Sequence, residues 1–130
     1  MTLDEGALKP IFWIAGSLKD LRDLPDDVQS VFGFALYQAQ RGGKHISAKP
    51  LKGFGGAGVL EIVEDHQGST FRVVYAVKFP MVLYVLDAFQ KKSKRGAKTP
   101  AVNIDRIKKR LKLAEVHYDD WLLSQEESDE

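Results

Sequence analysis

Alternating hydrophobic and polar positions predict two neighbouring strands in the second half of the chain. Between residues 70 and 77 the side chains alternate, so that Phe71 falls on one face of a strand and Arg72 on the other. The next run, residues 81–89, is apolar on both faces, which is typical of an interior strand covered on each side. A further strand-like run, residues 59–63, precedes these two and is joined to them by a turn containing Gly68.

Helical spacing dominates the first third of the chain. Apolar residues from Val28 to Ala39 recur every three or four positions, which predicts a helix, and a shorter helix is predicted just before Pro25. Residues 9–14 are typical of a short strand at a sheet edge, because Pro10 cannot donate a backbone hydrogen bond. A third helix is predicted to begin at Thr99 and Pro100, as N-cap and first helical position.

The order of these elements is strand, helix, helix, three strands and helix. It predicts an α+β fold with a central, mainly antiparallel sheet, two N-terminal helices and one C-terminal helix. A chain of 130 residues with 44% hydrophobic content is sufficient for one core, so we expect a single domain. We expect order from about residue 8 to residue 123 and disorder in the acidic tail, residues 124–130.

Charge is segregated along the chain, although the net charge is only +1. Residues 91–112 contain ten lysines or arginines and a single acid, Asp105, whereas residues 115–130 contain acids and no lysine or arginine. The basic block favours a polyanionic partner such as nucleic acid. The alternative is a solvated helix face that pairs with the acidic tail.

Several function classes are disfavoured by what the sequence lacks. There is no cysteine, and the three histidines have no metal-ligand spacing, so we expect no metal site. Gly53, Gly55 and Gly58 match a dinucleotide-binding pattern, but a strand rather than a helix follows them, so we expect no cofactor. No apolar run is long enough to cross a bilayer and no signal peptide is evident, which predicts a soluble, cytoplasmic protein without a membrane partner.

Basic residues from three predicted elements are expected to converge at one end of the sheet, because adjacent strands lie roughly 5 Å apart. These are Arg72 on a strand, Lys91 and Lys92 after the next strand, and Lys49 and Lys52 before the strand that begins at Val59. Such a cluster could bind an RNA backbone and stabilise charge developing on a phosphorane without a metal. The alternatives are an Arg72 paired with Glu61 across the sheet, and an exposed basic turn at residues 91–92.

Four segments together resemble the RelE/HigB superfamily of type II toxins, specifically its phage-derived branch. They are LYQAQRGG (36–43), KPLKGFGGAGVLEI (49–62), FRVVYAV (71–77) and VLYVLDAFQKKSKRGAKTP (82–100). The resemblance implies a RelE-like fold and a metal-independent endoribonuclease that cleaves mRNA, usually in the ribosomal A site. In this family the ribose 2′-hydroxyl attacks the adjacent phosphate, and basic side chains orient and neutralise that phosphate.

The resemblance also implies roles for particular residues. Arg72, Lys91 and Lys92 match the strand arginine and the F-x-K-K pair of the catalytic site, and RNA-binding roles fall to Lys49, Lys52, Lys94, Arg95 and Lys98. Asp87 stands where the family pattern has a histidine. It is expected to be a carboxylate whose pKa is held low by Lys91, Lys92 and Arg72, either accepting the 2′-hydroxyl proton or holding one of these lysines in place.

The implied partners are mRNA, the ribosome and a cognate antitoxin, expected to be a helix-turn-helix protein from the adjacent gene. The leading hypothesis is therefore the toxin of a type II toxin–antitoxin system. A second hypothesis is a non-catalytic basic module that binds RNA or the ribosome. A third is a protein-interaction domain of the same fold whose basic surface receives an acidic partner.

Overall fold

The computed structural model describes residues 8–56, 58–91 and 99–128. Its elements, in chain order, are β1 (Ile11–Trp13), α1 (Ser17–Arg22), α2 (Asp26–Gln40), β2 (Lys49–Pro50), β3 (Val59–His66), β4 (Ser69–Ala76), β5 (Leu83–Lys91) and α3 (Ala101–Ser128). The strands form one five-stranded sheet in the order β1-β5-β4-β3-β2. All neighbours are antiparallel except β1, which pairs with β5 in parallel. The predicted α+β fold with a mainly antiparallel sheet is confirmed.

Helices cover both faces of the sheet. On one face, the apolar stripe of α2, which includes Phe32, packs with alternate residues of β3 and β4 such as Ile62 and Val73. On the other face, Ile107 and Ala114 of α3 pack over the opposite side of the same strands. Because β5 is covered on both sides, its apolar residues do not alternate with polar ones, as expected for an interior strand.

Element boundaries differ from the sequence expectation at several places, and β3, for example, continues three residues past the predicted strand to His66. β5 begins at Leu83 and ends at Lys91, two residues later at each end than the predicted strand. A short strand, β2, lies within the loop rich in lysine and glycine, where none was predicted. α3 continues to Ser128, so the structure has helix over residues 124–128, where the sequence predicts disorder.

The glycine-rich segment before β3 is a turn, as its sequence context predicts. Gly53, Gly55 and Gly56 have φ angles of 95°, 74° and 145°, a region that side-chain-bearing residues rarely adopt. A strand follows directly, so no helix N-terminus is available here to receive a pyrophosphate. Within the described ranges, no helix is long and apolar enough to span a membrane.

Candidate functional site

Strand register brings four of the predicted site residues to the face of the sheet that α3 covers. The cross-strand pairs that establish this are Lys49–Glu61, Glu61–Val74, Val74–Asp87, Arg72–Phe89 and Thr70–Lys91. Residues directly opposite one another in antiparallel strands point to the same face, and residues two apart along a strand do as well. Lys49, Glu61, Arg72, Asp87 and Lys91 therefore share one face.

Arg72 is buried and forms an ion pair with Glu61. The Arg72 guanidinium donates through Nη1 to Glu61 Oε1, and only 5% of Arg72 and 7% of Glu61 is exposed. The two residues are diagonal neighbours on β4 and β3, since Arg72 lies opposite Val63. Nη1 also lies 3.4 Å from Thr99 Oγ1, which is itself 3.5 Å from Glu61 Oε1. The pairing of Arg72 with Glu61, one of the two alternatives for this arginine, is thus present in the structure.

Lys91 is the last residue of β5, and its side chain is buried. Only 3% of the residue is exposed, and its Nζ has no hydrogen-bond partner among the described residues. Burial lowers the pKa of Lys91, the positive charge of Arg72 lowers it further, and Glu61 opposes the shift. The alternative of an exposed basic turn is therefore wrong for Lys91, because the strand extends through it.

Asp87 is fully buried in the middle of β5 and is bound by two arginines of α3. Arg106 donates through Nε and Nη2 to its two carboxylate oxygens at 2.9 and 3.1 Å. Arg110 donates through Nη1 to Asp87 Oδ1 at 3.3 Å and to the carbonyl oxygen of Leu86 at 2.8 Å. Of the two expected partners, Lys91 makes no such contact, and Lys92 lies outside the described residues.

The pKa of Asp87 also differs from the expectation. Burial raises it above its ordinary value, and the bonds from Arg106, the charge of Arg110 and the backbone N–H of Ala88 oppose the shift only in part. The expected lowering of this pKa by Arg72 and lysines is wrong, because the carboxyl group is desolvated beneath α3 rather than placed at an exposed strand end. Asp87 holds α3 against the sheet.

The remaining predicted residues fall at the margin of this cluster or beyond the described ranges. Lys49 and Lys52 are exposed, and Lys49 lies beside the ion pair because its backbone is paired with Glu61. The predicted RNA-binding residues Lys94, Arg95 and Lys98 lie, like Lys92, outside the described residues. Of the predicted catalytic residues, the structure therefore brings Arg72 and Lys91 together around Glu61 and places Asp87 in a separate contact with α3.

The sequence analysis missed Arg106 and Arg110 as site-forming residues. The two arginines are four residues apart on a helix and therefore share a face. A strand aspartate among apolar residues requires a cation as partner when it is buried. These two features of the sequence together could have predicted the contact.

Among the described residues, this face holds no cluster of metal ligands. Across the described part of the chain, no three histidine or acidic side chains gather as a metal site would require. A cavity of about 300 Å³ lies elsewhere, lined by Lys9, Gly42, Gly43 and Lys44 at the end of α2, together with apolar residues of the sheet. Arg72 and Lys91 do not line this cavity.

Comparison with known proteins gives a family for the chain. The model of the family described as phage derived protein Gp49-like (DUF891) matches residues 19–112, more than two thirds of the sequence. No curated protein matches significantly. Among solved structures, a chain of the toxin–antitoxin complex RelBE2 from Mycobacterium tuberculosis aligns with a TM-score of 0.43 and 20% identity, over 65% of this chain and 100% of that one.

The family match spans every element from α1 to the basic half of α3, and so includes Arg72, Glu61, Lys91 and Asp87. The resemblance identified in the sequence is confirmed, and the chain belongs to the Gp49-like family of phage-derived proteins.

Proposed function

We propose that this chain is the toxin of a type II toxin–antitoxin system and cleaves mRNA as an endoribonuclease on the ribosome. The family supports the first part of this proposal. One geometric observation supports the second: Arg72 and Lys91 are both buried, and the carboxylate of Glu61 interacts with the charges of both. Basic side chains held together in this way can bind an RNA phosphate and stabilise the charge that develops on it.

The proposed reaction is an internal transfer within the RNA. The ribose 2′-oxygen attacks the adjacent phosphorus and loses its proton to a base, while the bond from phosphorus to the 5′-oxygen breaks. The 5′-oxygen takes up a proton, so the products are a 2′,3′-cyclic phosphate and a 5′-hydroxyl. Arg72 and Lys91, joined by Lys92, stabilise the negative charge that develops on the phosphorane. The proposal uses no metal and no cofactor.

Lys91 is suited to a second role in this scheme, as a proton donor or acceptor. A lowered pKa brings an amine closer to the pH at which it exchanges protons efficiently. Asp87 is less suited to act as the base, because both of its oxygens accept hydrogen bonds from α3. Exposed Lys49 and Lys52, with Lys94, Arg95 and Lys98, are proposed to bind the RNA backbone outside the catalytic cluster.

The test measures cleavage of message in a translating extract by purified protein. Wild-type protein should cut at defined codon positions, and Lys91→Met should lose on the order of a hundredfold or more in rate. Lys91→Arg keeps the positive charge but has no amine that can exchange a proton near neutral pH. This variant should therefore still stabilise the developing charge but should not transfer a proton. Lys19→Met, a change at an exposed lysine of α1, is the matched control and should cut normally.

The same assay decides between the proposal and its alternatives. Salt-sensitive binding to ribosomes or RNA without any cuts would favour the non-catalytic module. If the protein neither cuts nor binds RNA or ribosomes, only the hypothesis of a protein-interaction domain remains. Normal cutting by Lys91→Met would show that the buried cluster is not the active site.

A cognate antitoxin is the proposed protein partner. The exposed lysines beside the cluster give this face a charge that an acidic segment of a partner would complement. A helix-turn-helix protein encoded next to this chain is the expected source of that segment.

A further inference from the structure

The long helix α3 has two different sides. Toward the sheet, Ile107 and Ala114 are fully buried. On the other side, four large apolar residues are exposed: Val102 by 74%, Leu113 by 55%, Val116 by 61% and Leu123 by 58%. Exposed apolar residues scattered singly are ordinary on protein surfaces, but a repeat along one helix face indicates a surface that packs on something.

These residues follow the spacing of a two-helix interface. Together with the polar residues between them they form a series in steps of four and three, which we call the outer seam: Val102, Arg106, Lys109, Leu113, Val116, Asp120, Leu123 and Glu127. Steps that average 3.5 residues keep a seam facing a partner helix along its whole length. The seam spans 26 of the 28 residues of α3, or roughly 38 Å at 1.5 Å per residue.

Charge along α3 shows which partner the seam fits. The first half of the helix is rich in lysine and arginine, and the second half carries acids and no basic residue after Lys112. A second copy of α3 running antiparallel would set the basic half of each helix against the acidic half of the other. A parallel copy would set like charges together, which is unfavourable.

The residue positions agree with an antiparallel copy. The outer seam is symmetric about the point between Ala114 and Glu115, so a twofold axis at that point maps it onto itself. Leu113 then meets Val116 of the second copy in the centre, and Lys109 meets Asp120 of the second copy on each side. In the neighbouring row, Lys112 faces Asp119 of the second copy in the same way.

We propose that this protein forms a twofold-symmetric dimer through the outer seams of two antiparallel α3 helices. Arg106 occupies a seam position, but its guanidinium donates to Asp87 of the sheet, and Arg110 lies outside the seam, so the contact leaves both arginines on Asp87. Half of the seam positions are polar, and Asp105 faces Glu126 of the second copy, a like-charge contact. The dimer is therefore weak, with a dissociation constant in the micromolar range, and it weakens further as salt screens the charge pairs.

Sedimentation of the full chain over a range of concentrations tests the proposal. Wild type should pass from monomer to dimer as concentration rises at low salt, and the transition should move to higher concentration at high salt. The double variant Leu113→Glu, Val116→Glu should remain monomeric. Met81→Glu changes a residue that is equally exposed, at 57%, but lies outside α3, and should dimerise like wild type. A wild type that is monomeric at every concentration at low salt overturns the proposal.

Charge reversal separates the antiparallel dimer from any other apolar association. Lys109→Glu and Asp120→Lys should each weaken the dimer by roughly tenfold, because each brings two like charges together twice per dimer. The two changes combined in one chain should restore it, since every pair is again of opposite sign. If the combined variant is as weak as either single one while its helix content is unchanged, the antiparallel register is wrong. Lys91→Met should dimerise normally, so the outcome is independent of RNA cleavage.

Discussion

At the residue scale, the ion pair between Arg72 and Glu61 makes the proposed site part of the core. The sequence predicts Arg72 on the strand face opposite Phe71, in a basic cluster at one end of the sheet. In the structure both side chains are buried, so Arg72→Ala leaves the Glu61 carboxylate without its cation in a desolvated position. Breaking a buried pair in this way typically costs about 3–5 kcal/mol.

We therefore predict that Arg72→Ala loses stability as well as cleavage. Denaturant unfolding should show a loss on the scale of a broken buried pair. The double variant Arg72→Met, Glu61→Gln should recover part of that stability, because neither member of the pair is left charged, although Lys91 loses the attraction of Glu61. It should still fail to cleave RNA. Arg22→Ala, an exposed change on α1, is the control. Full stability of Arg72→Ala would show that the pair contributes nothing to the fold.

Two buried tyrosines give a matched test of hydrogen bonding. The hydroxyl of Tyr75 has no partner among the described residues, whereas the hydroxyl of Tyr84 lies 2.7 Å from Nδ1 of His117. Burial raises the pKa of each to about 12, so both are neutral phenols at physiological pH.

Tyr84→Phe should cost about 1 kcal/mol of unfolding free energy, the usual value of one hydrogen bond. Tyr75→Phe removes only an unsatisfied polar group and should be neutral or stabilising. Unfolding in denaturant measures both variants. A greater loss in Tyr75→Phe than in Tyr84→Phe would contradict the hydrogen-bond assignment.

At the element scale, the hydrophobic pattern predicted α2 by its helical spacing, β4 by its alternation and β5 by its continuous apolar run, and it also predicted a strand at β3. It did not predict where β5 ends. Gln90 and Lys91 are polar, so the apolar pattern stops at Phe89, but backbone pairing with Phe71 and Thr70 carries the strand two residues further. Cross-strand pairing of this kind has no signature in the residues of one strand. For the same reason, the sequence did not predict that β1 pairs in parallel with β5, or that β2 is a strand.

The partners of Asp87 show why the environment predicted for this residue was wrong. Lys91 follows Asp87 by four positions, a spacing that brings side chains together on a helix. On a strand, four residues span roughly 13 Å, so the two cannot meet. The cations that do reach Asp87 come from α3, packed across the sheet, and only the three-dimensional arrangement of strand and helix brings them there.

Asp87→Asn tests whether this contact is structural. Asparagine keeps an acceptor for Arg106 but removes the charge that both arginines face, so we expect a stability loss of about 1–3 kcal/mol. In folded protein the cleavage rate should fall by no more than about tenfold, the scale of a positioning contact. Asp23→Asn, at an exposed surface pair, is the control for both measurements. A rate loss beyond about a thousandfold without unfolding would make Asp87 the catalytic base.

At the scale of the whole molecule, the sequence predicted which residues gather but not how they are buried. The family resemblance and the sheet register agree that Arg72 and Lys91 belong to one cluster. Both residues are nevertheless buried, and Arg72 contacts Thr99, two residues before the start of α3. Sequence patterns report which side of a strand a residue occupies. They do not report that a helix nearly 30 residues away in the chain will cover that side.

The last prediction concerns the antitoxin, and it follows from the charge of the whole molecule. Expression of this chain alone should arrest growth, and co-expression with the adjacent helix-turn-helix reading frame should restore it and yield a complex that co-purifies. The reason is that an acidic segment of the partner would neutralise the exposed lysines beside the cluster, so the complex should weaken as salt rises. Lys49→Glu together with Lys52→Glu should reduce antitoxin binding, whereas Lys19→Glu, on the distant α1, should not.

Lys91→Met provides the decisive comparison. Its ammonium is buried, so its loss should abolish toxicity while leaving the antitoxin surface unchanged. Lys91→Met should therefore be harmless when expressed alone and still co-purify with the antitoxin at wild-type yield. If Lys91→Met still arrests growth, toxicity does not arise from the buried cluster. If no neighbouring reading frame restores growth or co-purifies with the wild-type chain, the antitoxin proposal is wrong.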